Sequence, residues 1–320
     1  QISPLLGVGG FLKNSVALAK GQHIFVSQHI GALENPQTVT AFNDTLESMT
    51  RLYDIQPDGV ACDYHPDYPS THWAETSRKT QLPVQHHVAH VFSCMAEHDL
   101  RAPLLGVAWD GSGYGLDGTS WGGEFFKITK ESIHRIARWR PFPLPGGDAA
   151  TNQPRRSALG LLYEVLGETV FTRPEIIKNF SSEEIAVLTT MLGKKINSPM
   201  TSSCGRLFDA VASLIGVRQA NSFEGQAAME LEFAIEATAS DHFYSVNVLE
   251  SNLETSTHEA NNHSRHYDLK LRYQLDATAL VDELLEDISA NCSINIMATK
   301  FHNALVESIV DVAKRVGEEQ

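Results

Sequence analysis

Cysteine is scarce in this 320-residue sequence: Cys62, Cys94, Cys204 and Cys292 stand far apart, and no two form a CxxC pair. That spacing argues against a zinc ribbon and fits a reducing compartment. No run of about 18 apolar residues occurs, so no membrane-spanning helix is expected. The first residues lack the basic-then-apolar order of a secretory signal. Basic charge is also short, with 25 Lys and Arg against 39 Asp and Glu and a net charge of −14. General attraction to nucleic acid is therefore not expected, and an anionic small substrate would need a locally basic pocket. No internal repeat of roughly 20–50 residues is visible, which sets aside solenoid folds. The expectation is a soluble cytoplasmic protein, long enough for a large core and more than one lobe.

The segments that are present alternate in type. "PLLGVGG" is a short apolar run ending in glycines, and "NSVALAKGQHIFVSQHI" reads as two strands around Lys20-Gly21-Gln22. Val39, Phe42, Leu46, Met49, Leu52 and Tyr53 fall at helical spacing. "GVACDYHP" reads as a strand ending in a polar loop, "PSTHWAETSRKT" as a helix, and "QHHVAHVFSCMAEHDL" as a second helix. "PLLGVAWDGSGYG" reads as a buried strand running into a glycine-rich turn, and "SWGGEFFKIT" with "SIHRIARWRPF" as a hairpin. Helices are expected over 154–166, 181–193, 205–217, 223–238 and 275–289, with a final helix from "NIMATKF" onward. "FYSVNVLE" and "YDLKLRYQ" are strand candidates, and the polar stretch 251–266 is expected to be a loop. The order predicts an α/β protein of two lobes with mixed sheets, divided between 120 and 150.

Three histidines open the second helix. His86 and His90 are four apart and share a face, so two imidazoles could reach one metal ion, while His87 points about 100° away. A zinc-protease helix would carry Glu at position 87, so that chemistry is not expected. The competing explanation is a histidine cluster on a solvated helix end, because two histidines still need a third ligand. Asp110 is the candidate. It ends an apolar strand, and Gly111 and Gly113 follow, a setting in which backbone can meet an anion. Otherwise it is an Asp-Gly turn.

Other candidates stay open in the same way. Lys13 follows the turn in "GVGGFLKN" and would steady a phosphate or carboxylate, or else is a corner lysine. "DYHPDYPST" is a pocket edge carrying His65, Asp67, Ser70 and Thr71, or a capped helix start. Ser202, Ser203 and Gly205 precede one helix and Glu224 and Gly225 begin the next. Backbone amides there could hold an anion and Asp209 could accept from a ribose hydroxyl, or both are ordinary capped helices. Arg156 is a clamp for a carboxylate or phosphate, or an exposed arginine. Cys94 reads as core rather than nucleophile.

Taken in order, "LLGVGGFLKN", "SQHIGALEN", "HPDYPST", "VQHHVAH", "DGSGYG", "WGGEFF", "RPFPLPGGDAA", "GRLFDAVASLIG" and "FEGQAAMELE" closely resemble the Kae1-like domain of the HypF carbamoyltransferases of NiFe-hydrogenase maturation. Natural-product O-carbamoyltransferases and the tRNA threonylcarbamoyl-transfer proteins share that fold. "VGGFLKN" and "LPGGDAA" look like the HypF branch. Ala32 stands where the family pattern has an acid, and Arg155 where it has an aromatic.

The resemblance implies an ASKHA (actin-like) fold, with one lobe over 1–120 and a second over 121–320. It implies that the second lobe is incomplete, lacking a final strand, a GG-x-x-x-N nucleotide loop and a further metal-binding Asp, so that metal and nucleotide would be held weakly. It further implies that His86, His90 and Asp110 hold a divalent metal (Fe or Zn), and that Asp110, Gly111 and Gly113 lie near the carbamoyl and phosphate groups. Asp209, Glu224 and Gly225 would face the nucleoside, with Lys13 and Arg156 as helpers inferred from their motifs. In that family an upstream YrdC-like domain makes carbamoyl adenylate from carbamoyl phosphate and ATP, and this domain passes the carbamoyl group to the C-terminal cysteine thiol of HypE. The alternatives are an O-carbamoyltransferase acting on a small alcohol and a nucleotide-binding scaffold without catalysis.

Overall fold

A computed structural model describes residues 3–235, 241–251 and 266–318. The chain forms two compact units that divide between Asp99 and Leu100. This division falls earlier than residue 120 because the strand after it hydrogen-bonds along its length to the next strand.

The first unit contains β1 (Leu5–Gly7), β2 (Ala17–Lys20), β3 (His23–Val26), α1 (Pro36–Leu52), β4 (Gly59–Asp63), α2 (Pro69–Thr76), β5 (Thr80–Val84) and α3 (His86–Glu97). Its sheet runs β3-β2-β1-β4-β5. The hairpin side is antiparallel, and β1, β4 and β5 are parallel. β5 was not foreseen, since "TQLPV" carries a proline that weakens the strand pattern; at the sheet edge that proline is tolerated. α1 starts cleanly because the Asn35 side chain accepts from the Thr38 amide and Pro36 needs no donor. Its buried Phe42, Leu46 and Met49 recur at helical spacing and pack on a core with Leu6, Leu18 and Val60.

The second unit holds β6 (Leu104–Tyr114), β7 (Ser120–Ile128), β8 (Ser132–Trp139), β9 (Phe142–Pro143), α4 (Asp148–Asn152), α5 (Pro154–Leu166) and a 3-10 turn at Gly167–Thr172. It continues with α6 (Pro174–Ile177), α7 (Ser182–Gly193), β10 (Met200–Thr201), α8 (Cys204–Leu214), α9 (Gln226–Phe233), β11 (Asn247–Glu250), β12 (His266–Asp268), β13 (Tyr273–Asp276), α10 (Thr278–Ser289) and α11 (Ile294–Glu318). Among the described residues the sheet path is β11-β13-β8-β7-β10-β9, with β6 beside β7 and β12 beside β8. The strand expected in "YDLKLRYQ" is two strands, β12 and β13. Most of the expected loop 251–266, and the end of the helix expected over 223–238, lie outside the described residues. No helix among the described residues is long and apolar enough to cross a membrane.

One buried charge network ties β7 to β8. Arg135 is 1% exposed; its Nε donates to Glu124 Oε2 at 2.6 Å and a terminal nitrogen donates to Asp117 Oδ2 at 2.8 Å. Its guanidinium also lies 3.7 Å from the centre of the Trp121 ring. Burial opposes ionisation of Asp117, but Arg135 and hydrogen bonds from Thr119 and Trp121 outweigh it and bring its pKa from 3.8 to about 2. A carboxylate lowered in this way stabilises the fold above its unfolded pKa, and that contribution is lost as pH falls toward about 2. The contribution is on the order of 2 kcal/mol. Asp117→Asn should therefore lose stability at neutral pH and show a shallower decline between about pH 4 and 2. Urea midpoints of parent and variant across that range test it, and equal slopes would contradict it.

Candidate functional site: a paired histidine centre and a glycine bulge

In the first unit, α3 begins at the end of β5, capped by the Gln85 side chain, which accepts from the Val88 amide at 3.1 Å. The cap fixes the phase of the first turn and so the direction of the histidines. His86 Nδ1 and Asp63 Oδ2 are 2.9 Å apart. A carboxylate oxygen accepts, so Nδ1 is the donor, and in its neutral form the ring presents a bare Nε2. That nitrogen is 3.2 Å from His90 Nε2. Two nitrogens bound to one tetrahedral metal at about 2.0–2.1 Å would lie about 3.3 Å apart. The pair therefore has the spacing of two ligands on one ion, and Asp63 supplies the carboxylate that usually orients a ligating histidine. His87 turns inward, is fully buried and meets Gln85 at 3.1 Å. Cys94 is exposed, against the expectation that it belongs to the core.

The loops around this pair are built tightly. Asn14, 1% exposed, donates to the carbonyls of Val8 and Gly10 at 3.0 and 2.6 Å and so closes the "GVGGFLKN" turn. Gly9 has φ +67°, and a Cβ there would stand 2.4 Å from the Ser15 carbonyl oxygen, so only glycine fits. Gly10 adjoins the His86 ring, 3.9 Å from where its Cβ would be. Lys13 is exposed with φ +49°, at the outer corner of this turn. Ser70 donates to the Gly9 carbonyl at 3.0 Å and Thr71 to the Asp63 carbonyl at 3.3 Å, so both brace the loop rather than cap α2. His65 stacks flat on Tyr68 at 4.0 Å, and its backbone amide donates to Asp63 Oδ1 at 2.9 Å. One carboxylate thus holds both the His86 ring and the loop that follows β4. Asp63 was not among the candidates from sequence; its signal was an acid ending a parallel strand.

In the second unit, "DGSGY" is not a turn. β6 continues through Tyr114, with two extra residues bulged out between Trp109 and Gly113. Asp110 sits in the bulge, half-buried, its Oδ1 accepting from the Gly111 amide at 2.5 Å. α8 is fastened against this bulge. Ser203, its N-cap, donates to the carbonyls of Asp110 and Gly111 at 2.7 and 2.8 Å. A Cβ on Gly205 would stand 2.7 Å from Gly111 Cα, so glycine permits the close approach. Gly113 is buried within the strand.

Asp209 is on α8, 1% exposed and 2.7 Å from Arg206 Nε. Burial raises its pKa to about 6, against the opposing pull of Arg206 and Asn221. Gly225 is the left-handed N-cap of α9 with open space about its Cα, and Glu224 beside it is exposed. Arg156 is not an exposed arginine. Its Nε donates to Gln153 at 2.9 Å and a terminal nitrogen to the Pro145 carbonyl at 3.3 Å, so it braces the "LPGG" loop. Arg155 pairs with Glu184 at 2.8 Å and lies 4.7 Å over the Phe180 ring.

A mixed five-stranded sheet bearing an oriented histidine pair, and a larger sheet bearing an acid in a strand bulge, define a Kae1-like α/β protein. Residues 1–97 match the HypF Kae1-like domain and residues 106–320 match "Carbamoyltransferase, Kae1-like Domain, second subdomain". The chain belongs to the HypF carbamoyltransferase family. It is 37% identical to carbamoyltransferase HypF of Synechocystis sp. over 99% of this chain and 40% of that protein. To carbamoyltransferase HypF of Rhizobium leguminosarum bv. viciae it is 39% identical over 73% of this chain and 30% of that one. A crystal structure of full-length HypF in its phosphate- and nucleotide-bound form superposes with a TM-score of 0.88 at 35% identity, covering 99% of this chain and 46% of that one. HypF of T. kodakarensis gives 0.80 at 29% identity, over 99% and 40%. The chain thus spans less than half the length of these relatives.

Proposed function

We propose that this chain transfers a carbamoyl group from carbamoyl adenylate to the C-terminal cysteine thiol of HypE. The observation that carries the proposal is the His86–His90 pair, with Nε2 atoms 3.2 Å apart and His86 oriented by Asp63. Asp110 is the proposed third ligand, on its family motif and its place in the β6 bulge. The donor set, two imidazoles and a carboxylate, suits Fe or Zn. When bound, a divalent ion supplies Lewis acidity toward the carbamoyl oxygen.

The chain's own residues provide the rest. The thiolate attacks the carbamoyl carbon; the C–S bond forms, the C–O bond of the mixed anhydride breaks, AMP leaves, and the thiol proton passes to solvent. No enzyme nucleophile is required. The backbone of Gly111 gives the phosphate an approach free of side chains, and Gly113, assigned with it on the family motif, closes the bulge from within the strand. Asp209, with Glu224 and Gly225, is assigned to the nucleoside, where a buried carboxyl accepts from ribose hydroxyls. Lys13 is assigned to the anionic end of the substrate, exposed at the turn beside the histidines. Arg156 acts by holding the loop at 145–153.

The test supplies carbamoyl adenylate from a separate YrdC-like domain to this chain and to HypE, with a small alcohol as competing acceptor. Mass spectrometry should find one carbamoyl group on the HypE C-terminal cysteine, dependent on this chain. Carbamoylation of the alcohol alone would assign O-transfer instead. Nucleotide binding with no transfer would leave a scaffold.

A further inference from the structure

α8 carries a second charged side chain to the β6 bulge. Arg206 stands in its first turn and is 7% exposed. Asp209 engages it through Nε at 2.7 Å. Among the described residues, no hydrogen bond uses its two terminal nitrogens. One of them lies beside Gly111: a Cβ at 111 would be 3.9 Å from it. The guanidinium therefore meets bare backbone at Gly111, in the bulge.

A guanidinium offers five N–H donors in a fixed fork. Arg206 is 7% exposed and its Nε is buried against Asp209, while the terminal nitrogens are not among the buried atoms that lack a partner, so they keep donors open to a ligand. The arrangement is locked, because Ser203 fastens the helix start to the carbonyls of Asp110 and Gly111 and Gly205 allows the backbones to touch. The helix is eleven residues long, so its N-terminus adds partial positive charge at the same end. Its ion-pair partner is Asp209, whose pKa burial raises to about 6 against the pull of Arg206. A cation fixed in place, short of hydrogen-bond acceptors and facing glycine backbone, is suited to a tetrahedral oxyanion.

We infer that Arg206 is an anion-binding residue whose guanidinium takes the oxygens of a phosphate group across the Gly111 backbone. This deepens the proposed nucleotide reading and rests on it for the source of the phosphate, which is a nucleotide phosphoryl group or free inorganic phosphate. Asp209 then serves as the resting partner of the guanidinium, holding the fork in place.

The experiment titrates inorganic phosphate, AMP and adenosine into the full chain and into Arg206→Gln and Arg206→Lys. Loss of a charge-assisted donor should weaken AMP and phosphate by about tenfold to a hundredfold in Arg206→Gln. Adenosine, which has no phosphate, should bind all three proteins alike. Arg206→Lys keeps the charge and the ion pair, so it should fold even where the glutamine variant does not; without the planar fork it should still lose affinity for AMP but not for adenosine. AMP and phosphate affinities within twofold of the parent in both variants would overturn the inference, as would a parent chain that does not bind phosphate. A parent that binds phosphate but neither AMP nor adenosine, with phosphate weakened in both variants, would uphold Arg206 and overturn the nucleotide reading.

Discussion

His90→Ala should strip divalent metal from the chain and abolish carbamoyl transfer while leaving the fold intact. His90 is exposed, so its removal opens no cavity, and its visible role is to set Nε2 at 3.2 Å from that of His86. Loss of a group that merely orients a ligand costs about 10–100-fold in metal affinity. Loss of a direct ligand should exceed that. Asp63→Asn supplies the graded control: an amide nitrogen or oxygen replaces the carboxylate that fixes the His86 tautomer, and affinity should fall by about 10–100-fold. Metal titration by calorimetry on parent and both variants measures the series. If His90→Ala binds metal as the parent does, the paired histidines are not the ligands.

Glu124→Ala should destabilise the second unit by about 3–5 kcal/mol, because it leaves the Arg135 guanidinium buried without its closest carboxylate. Glu124 and Arg135 are both fully buried side chains, 2.6 Å apart. Glu124 also accepts from the Ser202 hydroxyl just ahead of α8, so the same change loosens the start of that helix. Replacing all three charges, as Glu124→Leu with Arg135→Met and Asp117→Asn, should cost less than the single change, since no charge is then stranded. Urea midpoints of the three proteins decide it. A single variant within about 1 kcal/mol of the parent would show that the network contributes nothing beyond packing.

Much of the architecture was legible from periodicity. Phe42, Leu46 and Met49 mark the buried stripe of α1, and Asn35-Pro36 marks its start. The histidine helix was also legible, since a four-residue spacing fixes a shared face whatever the tertiary context. What escaped were features set by contact across the chain. Asp63 is an ordinary strand-end acid until His86 arrives beside it. The glycines of "DGSG" suggest a turn by local preference, yet their use is to let a helix approach a strand, which only the packed fold reveals. Arg156 suggested a ligand clamp by its motif, and its ties to Gln153 and Pro145 are contacts that no local pattern announces. Arg206 gave no signal, being a single arginine at the start of an amphipathic helix whose burial depends on β6.

The bulge in β6 adds two residues, Trp109 pairing with Gly123 and Gly113 with Trp121. Side chains alternate between sheet faces with a period of two, so an odd insertion would invert every residue beyond it. An even one leaves the parity untouched: Trp109 and Gly113 stay in step with the same faces of β7 that an uninterrupted ladder would give them. The strand can thus carry a detour in mid-course while the sheet on either side keeps its phase. The geometry of the bulge at Asp110 and the facing of side chains in the rest of β6 are set separately within one strand.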